Sequence, residues 1–249
     1  MFDLISSESS YDDWLVQMPG DEHYDTLSVP LEYNPILSER LEDCAQQLYG
    51  FYNEPIHVDQ VCVMANCMTN PLRVDVSVND TLHRRFYVKQ YDERRILGKD
   101  FYNLLMDGAI NFFADDCVVV DNIKGELLAD IGFTPLSYRN AVRHEVFFDM
   151  IMLDDIVASE RNLCVNRAEN VFPIDFHLAF SRGVYHYNNT LSGRERELIR
   201  IEESTKLART ITRRWSHVES LLGLVETSIN RSMANLVYQK MEILLEEYL

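Results

Sequence analysis

Apolar residues recur along this chain in two rhythms, every second position in one region and every third or fourth in others. Residues 1–35 have neither rhythm and carry the breakers Pro19, Gly20, Pro30 and Pro35. Leu37, Leu41, Cys44, Ala45 and Leu48 then follow a helical spacing, which predicts a helix over 38–52 with Ser38 as its N-cap. From Ile56 to Tyr91 the pattern shortens to alternation. Val61–Met64, Arg73–Val78 and Arg85–Tyr91 read as strands punctuated by Asn70-Pro71 and Asn79-Asp80, an antiparallel meander. A helix is expected over 92–113. Strands at Cys117–Val120 and Glu126–Ile131 follow, joined by a turn over 121–125.

Beyond Gly132 the helical rhythm returns. Val142, Val146, Phe147, Met150 and Leu153 share one face of a helix predicted from Ser137, its cap, to about Leu153. Two short strands, Asn162–Val165 and Val171–Ile174, flank a turn. Two helices close the chain, over 192–212 and 215–248, and the second bears an apolar stripe through Leu222, Val225, Ile229, Met233, Val237 and Met241. The order is therefore strands, helix, strands, hinge and a mostly helical half. It predicts an α+β protein with a small antiparallel-sheet lobe over 56–136, a helical lobe over 137–249, and an N-terminal extension with one helix over 1–55.

Composition narrows the classes of function. At 249 residues, 47% of them hydrophobic, the chain can bury a sizeable core. It has no apolar run of about 18 residues to span a bilayer. The acidic opening residues lack the basic start of a secretory signal, and the five cysteines contain no C-x-x-C pair. Reduced thiols and a cytoplasmic location are expected. The net charge of −17 argues against nucleic acid as the main partner, because phosphate neutralisation needs clustered Lys and Arg. One basic cluster stands out: Arg84, Arg85, Lys89, Arg94 and Arg95.

The richest chemistry lies between Met152 and Phe180. Asp155, Asn162 and Asp175 fall at the ends of neighbouring predicted elements. Carboxylate, amide and carboxylate in that order suit the holding of a hard cation and the orientation of a nucleophile. Upstream, Phe86, Tyr87, Val88 and Lys89 put a lysine inside a strand, where it is held rigidly. With these residues the chain resembles the protein-kinase-like superfamily. The likeness is to its atypical branch, which includes the phosphatidylinositol 3- and 4-kinases, the HipA-type toxin kinases and small effector kinases, and it runs over about residues 56–249.

The resemblance implies a two-lobed kinase-like fold and an ATP- and Mg²⁺-dependent phosphotransferase acting on a protein or small-molecule hydroxyl. Phe86–Tyr91 resembles the strand that carries the ATP-binding lysine, which makes Lys89 the phosphate-holding residue. Val171–Phe176 resembles the strand and turn that present a metal-binding aspartate. Asp175 is then a Mg²⁺ ligand, with His177 where glycine is usual. Asn162–Val165 resembles the strand after the catalytic loop, so Asn162 is the second metal ligand. The usual spacing puts the catalytic aspartate at Val157. Asp155 takes that role on a longer loop, with Asp154 as the alternative. Val63–Asn70 contains no glycine where a glycine-rich loop is usual, and Asp100 and Asp107 compete as the acid partner of Lys89. These departures define the alternative, a catalytically inactive pseudokinase or effector-type binding module on the same scaffold.

Overall fold

The computed structural model describes residues 26–29, 35–64, 71–79, 82–106, 110–123, 125–152, 163–174, 176, 179–181 and 193–249. The chain divides into two compact units. One comprises Met1–Tyr91 and Asn111–Asn122, the other Asp92–Ile110 and Ile123–Leu249. The fold is α+β, with an antiparallel sheet in the first unit and mainly helices in the second. No described helix is long and apolar enough to cross a membrane.

The sheet unit holds β1 (Thr26–Ser28), α1 (Pro35–Tyr49), β2 (Ile56–Met64), β3 (Leu72–Val78), β4 (Leu82–Gln90), β5 (Phe112–Ala114) and β6 (Cys117–Asp121). Its strand order is β1-β2-β3-β4-β6-β5, every pair antiparallel. The meander β2-β3-β4 is the one expected from the alternation. Asn79 makes its second turn at φ 49°, a left-handed conformation that asparagine tolerates. Leu72, Val74, Val76, Val78, Phe86 and Val88 point to one face and form a core with Leu41, Cys44, Ala45, Leu48 and Tyr49 of α1. Tyr49 ties that helix to the sheet by polar contacts as well: its hydroxyl donates to Asp121 Oδ1 at 2.6 Å and lies 3.0 Å from the Arg85 carbonyl.

The helical unit holds α2 (Glu93–Leu105), β7 (Glu126–Leu127), α3 (Leu128–Ile131), α4 (Pro135–Met150), β8 (Leu163–Val165), β9 (Val171–Pro173), α5 (Gly193–Arg213), α6 (Trp215–Ser228) and α7 (Arg231–Tyr248). Strands β7, β8 and β9 form a small antiparallel sheet in that order. The cap of α4 is Thr134 rather than Ser137. The Thr134 hydroxyl accepts from the Ser137 amide and the Ser137 hydroxyl accepts from the Thr134 amide, a reciprocal box that satisfies two donors.

Four other expectations need correction. Helix α1 begins at Pro35, so Ser38 lies inside its first turn and does not cap it. The helix expected over 92–113 ends at Leu105, and Phe112–Ala114 is a strand paired with β6. The strand expected over 126–131 is two residues long and turns into α3 at Leu128, which Gly132 ends at φ 70°. The last helix breaks in two at Asn230, whose side chain caps α7 by accepting from the Met233 amide at 2.9 Å.

Candidate functional site

Strand parity fixes the surroundings of Lys89. Phe86 and Val88 face the α1 core, so Tyr87 and Lys89 face the other way, and the side chains of neighbouring strands follow suit. Lys89 stands opposite Val118, and Tyr87 opposite both Arg73 and Val120. Val118 and Val120 are buried although they point away from α1, so β6 is covered on both faces. Lys89 itself is half-buried. This face thus sets a half-buried lysine beside valines that are already covered, bordered by a polar row. In that row Arg85 Nε lies 2.5 Å from Asp75 Oδ1 and Arg73 Nε 3.2 Å from Asp75 Oδ2. Burial raises the Tyr87 phenol above its ordinary pKa.

The basic stretch of the sequence is therefore not one site. Arg85 is held by Asp75, and Arg84 sits over the Tyr52 ring, 5.5 Å from its centroid. Arg95 is buried in α2.

Two residues separate β4 from helix α2, whose cap Asp92 accepts from the Arg94 amide at 2.9 Å. Its buried side holds two cations, Arg95 and Lys99, 2% and 1% exposed. Nothing in the hydropathy pattern signals this burial. The Lys99 ammonium lies 5.3 Å from the Phe176 ring centroid, a cation–π contact. Of the two acids expected to serve Lys89, Asp100 is half-buried on α2 and burial raises its pKa, while Asp107 lies outside the described residues.

Phe176 is fully buried. It packs edge-on to Tyr102 at 5.9 Å and presses on Gly98, where a Cβ would come within 2.7 Å of its ring. Its carbonyl accepts from Ala179, and Phe180 and Ser181 donate to the carbonyls of Ile151 and Met152 at the end of α4. The β8–β9 hairpin sets Leu163 opposite Pro173. Asn166 organises its turn, accepting from the Ala168 and Asn170 amides at 2.9 and 3.0 Å. In sequence, Leu163 follows Asn162, and Pro173 stands two residues before Asp175. Asp154, Asp155, Asn162 and Asp175 themselves lie outside the described residues. Among the described residues no three His, Cys, Asp or Glu side chains group as a metal site.

His144 anchors α2 to α4. Its Nδ1 is 2.7 Å from the Asn140 carbonyl, which can only accept, so Nδ1 carries the proton. Nε2 then accepts from the Tyr102 hydroxyl at 3.0 Å. Burial pushes the imidazole pKa down to about 4, against a smaller upward pull from the Asn140 carbonyl.

No family model matches the chain, and no curated protein matches it. Among solved structures the chain is similar to one described as the FAT and kinase domain of CtTel1, at 10% identity and a TM-score of 0.44, over 94% of this chain. It spans 25% of the length of that structure.

Proposed function

We propose that the chain is a kinase-like nucleotide-binding protein that transfers a phosphoryl group from ATP to a hydroxyl of a protein or small molecule. The observation that carries this reading is the position of Lys89. It stands inside a central strand, on the sheet face away from α1, beside the buried Val118 and Val120. A stiff strand that holds an ammonium in place suits a nucleotide, whose phosphates want a fixed cation.

In this reading Lys89 holds the phosphates. Asn162 and Asp175 supply hard oxygen donors, the kind Mg²⁺ takes, and the bound ion would offset charge on the phosphate oxygens. Asp155 orients the acceptor hydroxyl, with Asp154 as the alternative. Lys99, buried beside Phe176, the sequence neighbour of Asp175, would temper the negative charge gathered there.

The test is calorimetric titration of ATP, with and without Mg²⁺, into the wild type and Lys89→Met. Loss of a charge-assisted phosphate contact should weaken binding by roughly 1.5–3 kcal/mol. An unchanged dissociation constant refutes the role of Lys89. The second reading, a nucleotide-binding module without turnover, is favoured by Val157 at the usual catalytic position and by the glycine-free Val63–Asn70 segment. ATP binding without transfer to any acceptor would decide for it.

A further inference from the structure

The helical unit contains a concavity whose charge runs against that of the whole chain. A cavity of about 300 Å³ lies where the end of α2 meets α4 and the second half of α5. Leu105 and Leu207 give it an apolar wall. Four cations line it, Arg143, Lys206, Arg209 and Arg213, against one carboxylate, Glu203. Such a concentration of positive charge is unexpected in a chain of net charge −17.

The four cations are not equivalent. Arg143 Nε lies 3.4 Å from Glu203 Oε2, and Lys206 Nζ is 2.9 Å from Glu203 Oε1 and 2.8 Å from Glu202 Oε1. Arg209 and Arg213 are exposed, and neither has an ion-pair partner among the described residues. They stand four residues apart on α5, so both project from the same side of the helix, one turn apart. Two like charges at that spacing repel each other along the helix unless an anion joins them. Glu203 is 5% exposed, and its Oε2 accepts no hydrogen bond. The Arg143 guanidinium offsets the charge of that oxygen without hydrogen-bonding to it, and a ligand hydroxyl would supply the missing hydrogen bond.

We propose that this cavity binds a small phosphate ester of a polyhydroxy compound, its phosphate between the guanidiniums of Arg209 and Arg213 and one hydroxyl donating to Glu203. Guanidinium forks match phosphate oxygens in geometry and charge. The volume stands at the lower end of small-molecule sites, which suits a single phosphorylated ring or short polyol rather than a polymer. A nucleic acid would need a broad basic surface, and the strongly acidic chain opposes one.

The test is titration of the full chain with glycerol 3-phosphate, ribose 5-phosphate and glucose 6-phosphate, beside inorganic phosphate and glucose as the separate halves. At least one ester should bind more tightly than either half. Arg209→Gln and Arg213→Gln should each weaken it about tenfold, since one charge-assisted hydrogen bond is worth about that factor. Both side chains are exposed, so circular dichroism melts of the variants should match the wild type. Lys89→Met should bind the ester normally, which separates this site from the proposed nucleotide site. Failure of all three esters to bind, an ester no tighter than inorganic phosphate, or binding that survives the double arginine substitution overturns the proposal.

Discussion

The buried His144 makes a quantitative prediction about acid. Folded, its imidazole is neutral and has a pKa of about 4; unfolded, it returns to the ordinary value of 6.5. Between those two values the unfolded chain binds a proton that the folded chain refuses, so stability rises with pH across that window. The contribution is fully present above about pH 6.5 and is lost as the pH falls towards 4. Two and a half pH units of linkage correspond to about 3 kcal/mol, a large share of the stability of a domain. Urea denaturation followed by tryptophan fluorescence, repeated from pH 7.5 to pH 4, measures it.

Carboxylates also titrate at the acid end, so the wild type must be compared with a variant that lacks only this group. Tyr102→Phe/His144→Phe removes both hydrogen-bonding partners and keeps two rings in the contact with Phe147 and Phe148. Replacing both partners leaves no orphan between them and costs little at neutral pH. Tyr102→Phe alone strands Nε2 without its donor and should cost about 1–2 kcal/mol. The stability advantage of the wild type over the double variant should shrink by about 3 kcal/mol between pH 7.5 and pH 4. Parallel pH profiles for the two proteins would refute the reasoning.

Three further outcomes follow from the packing and the proposed chemistry. Gly98→Ala should destabilise the protein by about 1 kcal/mol, since overpacking against Phe176 and Ala179 outweighs the helix propensity gained; Gly223→Ala, where a Cβ meets nothing within 4 Å, should stabilise it by a similar amount, and equal melting shifts would refute the contrast. Asp175→Asn should abolish phosphate transfer with the circular dichroism spectrum unchanged, and wild-type turnover in that variant would remove the residue from the site. Asp155→Ala should lower the transfer rate by at least about two orders of magnitude with ATP affinity kept, Asp154→Ala should cost little, and the reverse pattern in steady-state kinetics would exchange their roles.

What the sequence made legible was what depends on neighbours within one element. Leu72, Val74, Val76 and Val78 alternate, and their strand buries them as the alternation implies. The same parity set Lys89 apart from Val88. Partners far away in sequence decided the rest. Phe112 and Phe113 extend the apolar spacing of α2, yet they are a strand because Val119 and Val120 lie opposite them. The stripe through Val225, Ile229 and Met233 runs unbroken across Asn230, so the capping amide was hidden beneath a helical rhythm. Arg95 and Lys99 are cations that carry no sign of burial in the sequence, and only the packing of α2 shows them buried. The link between Tyr102 and His144 joins two helices 42 positions apart.

The sheet unit is discontinuous in sequence, and this has a consequence for the order of folding. The chain leaves the unit at Tyr91 and returns at Asn111, and only then supplies β5 and β6. β6 is the strand that pairs with β4 from Phe86 to Gln90. A chain emerging from the ribosome can form the β2-β3-β4 meander early, but β4 keeps a bare edge until residues 117–121 have followed. During that interval a row of unpaired amides and carbonyls stands open to other nascent chains, the condition under which strands add to strangers. A truncation after Tyr91 would make the interval permanent, with Val88 and Lys89 at the unprotected edge.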